Sequence, residues 1–227
     1  MKRVSVLIFV MLLSCSILSS CSLGDSLLSA MGFDTYDYEG EEVKKMLDTD
    51  SEEVEKLADM IRILTVNNPV LPEFSSPGEA VDDCRDAILN YMLCTGFAKY
   101  IGNTELIDEV EEIYPQLSFI TVIPASDFED CVYTFFGGNA KVSHRSSELF
   151  EYLDEAAVYT SVTEPFESKI TVDVISCEKT ERTCRMNFTC SLGDVTSPVY
   201  RALVVNRTDG SSYFKSLQCV DYEKSTD

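Results

Sequence analysis

Histidine occurs once, at His144, and the basic residues are few: 18 Lys and Arg stand against 39 Asp and Glu, a formal net charge of −21. A single imidazole excludes sites built on two or three histidine ligands. So negative a chain repels polyanions, which disfavours nucleic acid, anionic lipid headgroups and acidic wall polymers as partners. Cations, basic proteins and neutral or cationic small ligands are not disfavoured, and the general effect of the charge is solubility. A phosphate loop, a dinucleotide glycine fingerprint and a G-x-S-x-G element are also missing. No internal repeat recurs at about 20 to 50 residues. The longest apolar run, Val4 to Leu13 with Ile17 and Leu18 beyond, is broken by Ser14, Ser16, Ser19 and Ser20. It falls short of the roughly 20 apolar residues that a spanning helix needs.

That run follows Lys2 and Arg3 and precedes small residues and Cys21, the three-part layout of a cleaved export signal over residues 1–20. Leu18-Ser19-Ser20-Cys21 resembles the lipobox of bacterial lipoproteins, and Leu12-Leu13-Ser14-Cys15 is a weaker second match. The resemblance implies that Cys21 is the lipid-attachment site, modified with diacylglycerol and exposed as the mature N-terminus. Its acyl chains (palmitate among them) would anchor the chain to membrane lipid without a further membrane element. Residues 21–38, with Ser22, Gly24, Ser26, Ser29 and Gly32, read as a tether. Residues 39–227 then form a single domain, of a size that sustains a sizeable core.

Two acidic amphipathic helices are expected over 39–65, from Val43, Met46 and Leu47 and then Val54, Leu57, Ala58, Ile61 and Leu64. Ser76-Pro77-Gly78-Glu79 has the order of an N-cap, a first-turn proline and a capping glutamate. The helix it opens carries Val81, Cys84, Ala87, Ile88, Tyr91, Met92 and Thr95 on one face, with Gly102 as its stop. A shorter helix with Leu106, Ile107, Val110, Ile113 and Tyr114 inward ends at Pro115. Residues 117–123 read as a strand or extended link. Ser126-Asp127-Phe128-Glu129 reads as a second capping box, opening a helix that Gly137-Gly138 ends. From there the period changes to two: strands are expected near 157–163, 168–177, 184–191, 199–207 and 212–221, with Asp209-Gly210 as a tight turn. Helices over 39–137 and a β meander over 157–222 give an α+β fold, N-terminal helices packed on one face of a curved antiparallel sheet.

Seven cysteines follow Cys21, an odd number that cannot pair completely among themselves. Most fall at apolar positions, where cysteine is a small hydrophobe. Unbroken alternation puts Cys177 and Cys184 on opposite sides of the sheet, so the register argues against a bond between them.

No catalytic residue, cofactor or metal site is assigned. His144 lies among Lys141, Ser143, Arg145 and Ser146, the setting of a solvated loop histidine. A Cys131/His144 dyad is disfavoured because Asp127, Glu129 and Asp130 raise the thiol pKa. Glu109, Glu111 and Glu112 read as a solvated helix face. Asp48, Asp50 and Glu52 lack the glycine of a calcium loop, since Glu53 occupies that place, which leaves adventitious cation binding. Asn187-Phe188-Thr189 and Asn206-Arg207-Thr208 match the glycosylation pattern by chance. Tyr91, Tyr133, Phe135, Phe136, Tyr200, Tyr213 and Phe214 read as aromatic core before they read as a pocket lining.

The element order over roughly 76–222 resembles the cone-shaped domains of the nuclear-transport-factor-two-like (NTF2-like) and cystatin-like folds. Val122-Ile123-Pro124-Ala125-Ser126-Asp127-Phe128-Glu129 and Phe135-Phe136-Gly137-Gly138 are similar to stretches in lipoproteins of Gram-positive gut bacteria. Cone domains are either enzymes with polar groups converging in the cavity or binding modules without them. The expectation is therefore an extracytoplasmic, non-enzymatic surface module that binds a neutral or cationic small ligand or a basic envelope protein. The alternative is an inhibitor of a cell-wall hydrolase, and an enzyme with an acidic pocket ranks below both.

Overall fold

Alternation of buried and exposed side chains sets the C-terminal half. In the computed structural model, which describes residues 36–220 apart from 66, 67, 139 and 163, strands β5 (Thr171–Lys179), β6 (Thr183–Leu192), β8 (Tyr200–Asn206) and β9 (Ser212–Cys219) form an antiparallel meander. The short β7 (Val195–Thr196) pairs with β6, and β1 (Lys45–Leu47) adds an edge against β5. The fold is α+β, as the change of period implies. Cys21, the lipobox-like segment and the rest of residues 1–35 lie outside the described residues, and Tyr38–Val220 belongs to one compact unit.

The β1 edge corrects the expected helix through Val43, Met46 and Leu47. Met46 is 56% exposed and Leu47 8%, the alternation of a strand, and Leu47 lies opposite Cys177. Three apolar positions at i, i+3 and i+4 carry the helical spacing, and pairing to β5 overrides it. One helix follows, α1 (Glu52–Ile61), burying Val54, Leu57, Ala58 and Ile61 and continuing as a 3-10 turn over Arg62–Leu64.

The helix opened by Ser76 is broken into α2 (Pro77–Asp83), α3 (Arg85–Thr95) and α4 (Phe97–Tyr100). The first break is at Cys84, with φ −100° and ψ 10°. Beyond it α3 buries Ile88, Leu89, Met92 and Leu93 on one face. Glu79 does reach back, accepting from Ser75 N at 2.9 Å, so the acidic half of the anticipated cap works one residue earlier than expected.

Helix α5 (Thr104–Ile113) is capped by Asn103, whose side chain accepts from Leu106 N. Its Val110 packs with Phe119, Val122, Leu153 and Val158 in a small second core. That core lies beside a second sheet that the period did not announce, in which β4 (Val158–Ser161) is flanked by β2 (Thr121–Pro124) and β3 (Glu151–Leu153). The strand expected near 157–163 thus belongs to this sheet and not to the meander. Ser126 is no cap: α6 (Ala125–Phe136) is already helical there, with Pro124 at its N-cap.

Phe128, Val132 and Phe136 of α6 are buried, Phe136 against the large sheet and Phe128 beside Tyr159 of β4. The Phe136 ring stands 6.1 Å from Phe74 and 6.0 Å from Phe214. Gly137 ends the helix at φ +78°, and a Cβ there would meet the Tyr213 ring at 3.1 Å. On the opposite face of the sheet Arg185 donates to the carbonyls of Tyr38, Glu39 and Glu41, fixing the segment that leads into β1.

Candidate functional site

Two places bring chemistry-bearing side chains together. The first is a buried polar chain centred on Tyr159 of β4. The break at Cys84 turns Arg85 inward, where its side chain is 2% exposed. Its Nη2 donates to Asp82 Oδ1 at 2.7 Å and its Nη1 to the Tyr159 hydroxyl at 2.8 Å. The Tyr159 oxygen lies 3.0 Å from His144 Nδ1, and His144 Nε2 lies 2.8 Å from Glu129 Oε1. In the Nε2–H tautomer of the ring, the phenol donates to Nδ1 and Nε2–H donates to Glu129. Tyr152 stacks on the imidazole at 5.1 Å and 18°. Burial raises the Tyr159 phenol above its ordinary pKa, and the Arg85 guanidinium opposes that rise.

His144 is therefore not the solvated loop residue that its sequence neighbours suggest. Both ring nitrogens are engaged, by Tyr159 and Glu129, so Cys131 has no imidazole partner. The Cys131 thiol is pushed up to about 12 by burial, a different cause from the neighbouring acids invoked on sequence grounds. A charged group buried at Arg85 needs polar partners to persist, and Asp82 and Tyr159 supply them.

The second place is an open groove of about 920 Å³ between α1 and the β5–β6 and β8–β9 turns. Its apolar wall is Leu57 and Met60, and Cys184 sits at its base. Glu52, Glu53, Lys56, Lys179 and Glu181 supply the charge. Lys56 pairs with Glu52 at 2.7 Å and Lys179 with Glu53 across from α1 to β5.

Beneath this groove the register corrects the expectation for the cysteines. Pairs add to 362 up to Val174–Phe188 and to 363 from Ser176–Asn187 onward, because Ile175 is a bulge. The one-residue slip turns Cys177 inward, opposite Met186, on the same face as Cys184. The two thiols are within hydrogen-bonding reach, Cys177 donating to Cys184. Asn206 Nδ2 also donates to the Cys184 sulfur, at 3.6 Å. These two donors, Cys177 first, lower Cys184 to about 7 against the opposing effect of burial, while Cys177 is held well above its ordinary value. All seven cysteines of the described residues are free thiols.

The aromatic residues considered for a pocket separate into three groups, one of them the half-buried Tyr91 and Phe135, whose rings meet edge to face at 5.5 Å. Phe136, Tyr200 and Phe214 are buried and fill the core. Tyr133 is 58% exposed and, with Tyr213, sandwiches the Arg207 guanidinium at 5.2 and 5.0 Å. Arg85 and Tyr159 carried no motif. Cys177 and Cys184 were visible as residues but were misplaced by the unseen bulge. Among the described residues no group of three or more His, Cys, Asp or Glu is arranged to hold a metal, and no helix is long and apolar enough to cross a membrane.

The chain matches no family model, no curated protein and no solved structure.

Proposed function

We propose that the chain is an exported, lipid-anchored binding module whose groove beside α1 takes a small neutral or cationic ligand with an apolar part. The observation that carries this reading is the groove itself. At about 920 Å³ it lies in the size range of small-molecule sites, and Leu57, Met60 and Cys184 give it an apolar part among charged and polar side chains. The rim holds three carboxylates and two ammonium groups. Each lysine is already paired to a glutamate, so an anionic ligand would have to displace a carboxylate while a cation would not. Anchoring through Cys21 places such a site outside the cell, where an acidic surface keeps the module soluble near the membrane.

A small-molecule fragment screen by ligand-observed NMR on the full chain tests the groove. Neutral and cationic hits that are lost in Met60→Trp, which fills the groove, are the expected result. Hits unaffected by Met60→Trp, or a preference for anions, overturn it. Mass spectrometry of the native protein tests the anchor: a diacylglyceryl group on Cys21 and loss of residues 1–20 are expected, and an unmodified Cys21 ends that part of the reading.

A further inference from the structure

Beside and beneath the groove four sulfur-bearing side chains come from α1, β5 and β6. Cys177 and Met186 face each other across β5 and β6, and Cys184 is two residues along on the same face. All three are buried. Met60, half-buried on α1, lines the groove with Cys184. From this the geometry points to a site for a single soft monovalent cation, copper(I), held by the thiolates of Cys177 and Cys184 and by a thioether from Met186 or Met60. The inference goes beyond the small-ligand reading and stands without it.

The donor set selects the ion. Thiolate and thioether ligands favour copper(I) over harder cations. Structural zinc requires four donors, usually thiolate and imidazole. The one imidazole is committed to Tyr159 and Glu129 elsewhere in the fold. Diagonal neighbours on adjacent strands lie about 7–8 Å apart at Cα, beyond the span that a disulfide bridges without backbone movement. A bridging metal relaxes that limit, because two metal–thiolate bonds of about 2.3 Å let the sulfurs stand as far as about 4.6 Å apart.

Charge also fits. Copper(I) entering the pair displaces the thiol protons to solvent and forms two sulfur–metal bonds, with no change of oxidation state. The resulting bis-thiolate complex carries one net negative charge. Lys179, the residue directly opposite Cys184 across β5 and β6, lies beside it to balance that charge.

The test is an anaerobic titration of the full chain, reduced and carrying Cys15→Ser, Cys21→Ser, Cys94→Ser and Cys219→Ser, with copper(I) competed by bicinchoninate. One equivalent withdrawn from the chelator is expected, with thiolate-to-copper absorption in the near ultraviolet. Cys177→Ser and Cys184→Ser should each weaken retention by more than about tenfold, since even outer-shell changes at metal sites cost that much. Met186→Leu and Met60→Leu identify the third donor, and one of them should weaken retention less severely. Copper-edge X-ray absorption on the unmutated pair should count two or three sulfur neighbours, a readout that survives if the serine variants fail to fold. No retention against the chelator, or a nitrogen and oxygen shell around the metal, overturns the proposal.

Discussion

Tyr159→Phe is the most direct probe of the buried polar chain, because it removes one oxygen and keeps the ring. The Phe128 and Tyr152 rings stay at their present centroid distances of 5.1 and 5.0 Å, so packing is retained. Two hydrogen bonds are lost: the one from the Arg85 guanidinium at 2.8 Å and the one shared with His144 at 3.0 Å. A bond to a charged group contributes about 1.5–3 kcal/mol and a neutral one about 1 kcal/mol. Arg85 keeps Asp82, which limits the unpaired charge, so the expected loss is about 3 kcal/mol. For a domain of this size that corresponds to a fall in Tm of about 6–12 °C. Urea unfolding followed by circular dichroism measures it, with m unchanged, since the surface exposed on unfolding is the same. Glu129→Gln is the control: its carboxylate is 55% exposed, and such pairs contribute about 0–1 kcal/mol. A Tyr159→Phe loss below about 0.5 kcal/mol, or one no larger than that of Glu129→Gln, would refute the view that the chain holds Arg85 in the core.

Stability should also follow the thiol pair. Below about pH 7 both thiols are protonated folded or unfolded; between about 7 and the ordinary thiol value near 9 the folded pair has released the Cys184 proton and the unfolded chain has not. The unfolded state then binds more protons, so stability rises with pH, by at most about 1 kcal/mol per unit. Above that window the unfolded chain loses both protons while Cys177 keeps its own, and the trend reverses. Urea midpoints across pH 6 to about 10.5 should show this maximum in the native chain and not in Cys184→Ala. Gly137→Ala should cost about 1–3 kcal/mol by the same assay, because φ +78° with ψ 167° is a region that essentially only glycine occupies. In native-state alkylation near pH 8 followed by mass spectrometry, Cys94 and Cys219 should be labelled first. Cys84, Cys131 and Cys190, each pushed up to about 12, should stay unmodified until the chain unfolds.

The sheet was legible where a long alternation leaves one answer, as in β6, β8 and β9. It was not legible where few residues carry the pattern: Val43, Met46 and Leu47 have helical spacing, and pairing to β5 overrides it. Long-range pairing also hid the three-stranded sheet, since nothing local marks β4 as a neighbour of β2 and not of β5. His144 shows the limit for sites. Its sequence neighbours are polar, yet Tyr159 and Glu129, each 15 residues away, determine its surroundings.

The cysteine pair depends on one residue, and that dependence can be tested. With Ile175 as the bulge, Val174 and Cys177 both point inward although three positions separate them; a plain strand would send one of them out. Deleting Ile175 removes the extra residue and leaves Val172, Val174 and the shifted Cys177 in strict alternation, so every inward side chain keeps its face. That variant should fold with a urea midpoint close to the parent. Deleting Asp173 instead retains the bulge and throws Val172 and the residues before it out of phase, exposing apolar side chains that now pack against the core. It should be strongly destabilised. If the Ile175 deletion unfolds the protein while the Asp173 deletion does not, the register drawn for β5 and β6 is wrong, and with it the placing of Cys177 beside Cys184.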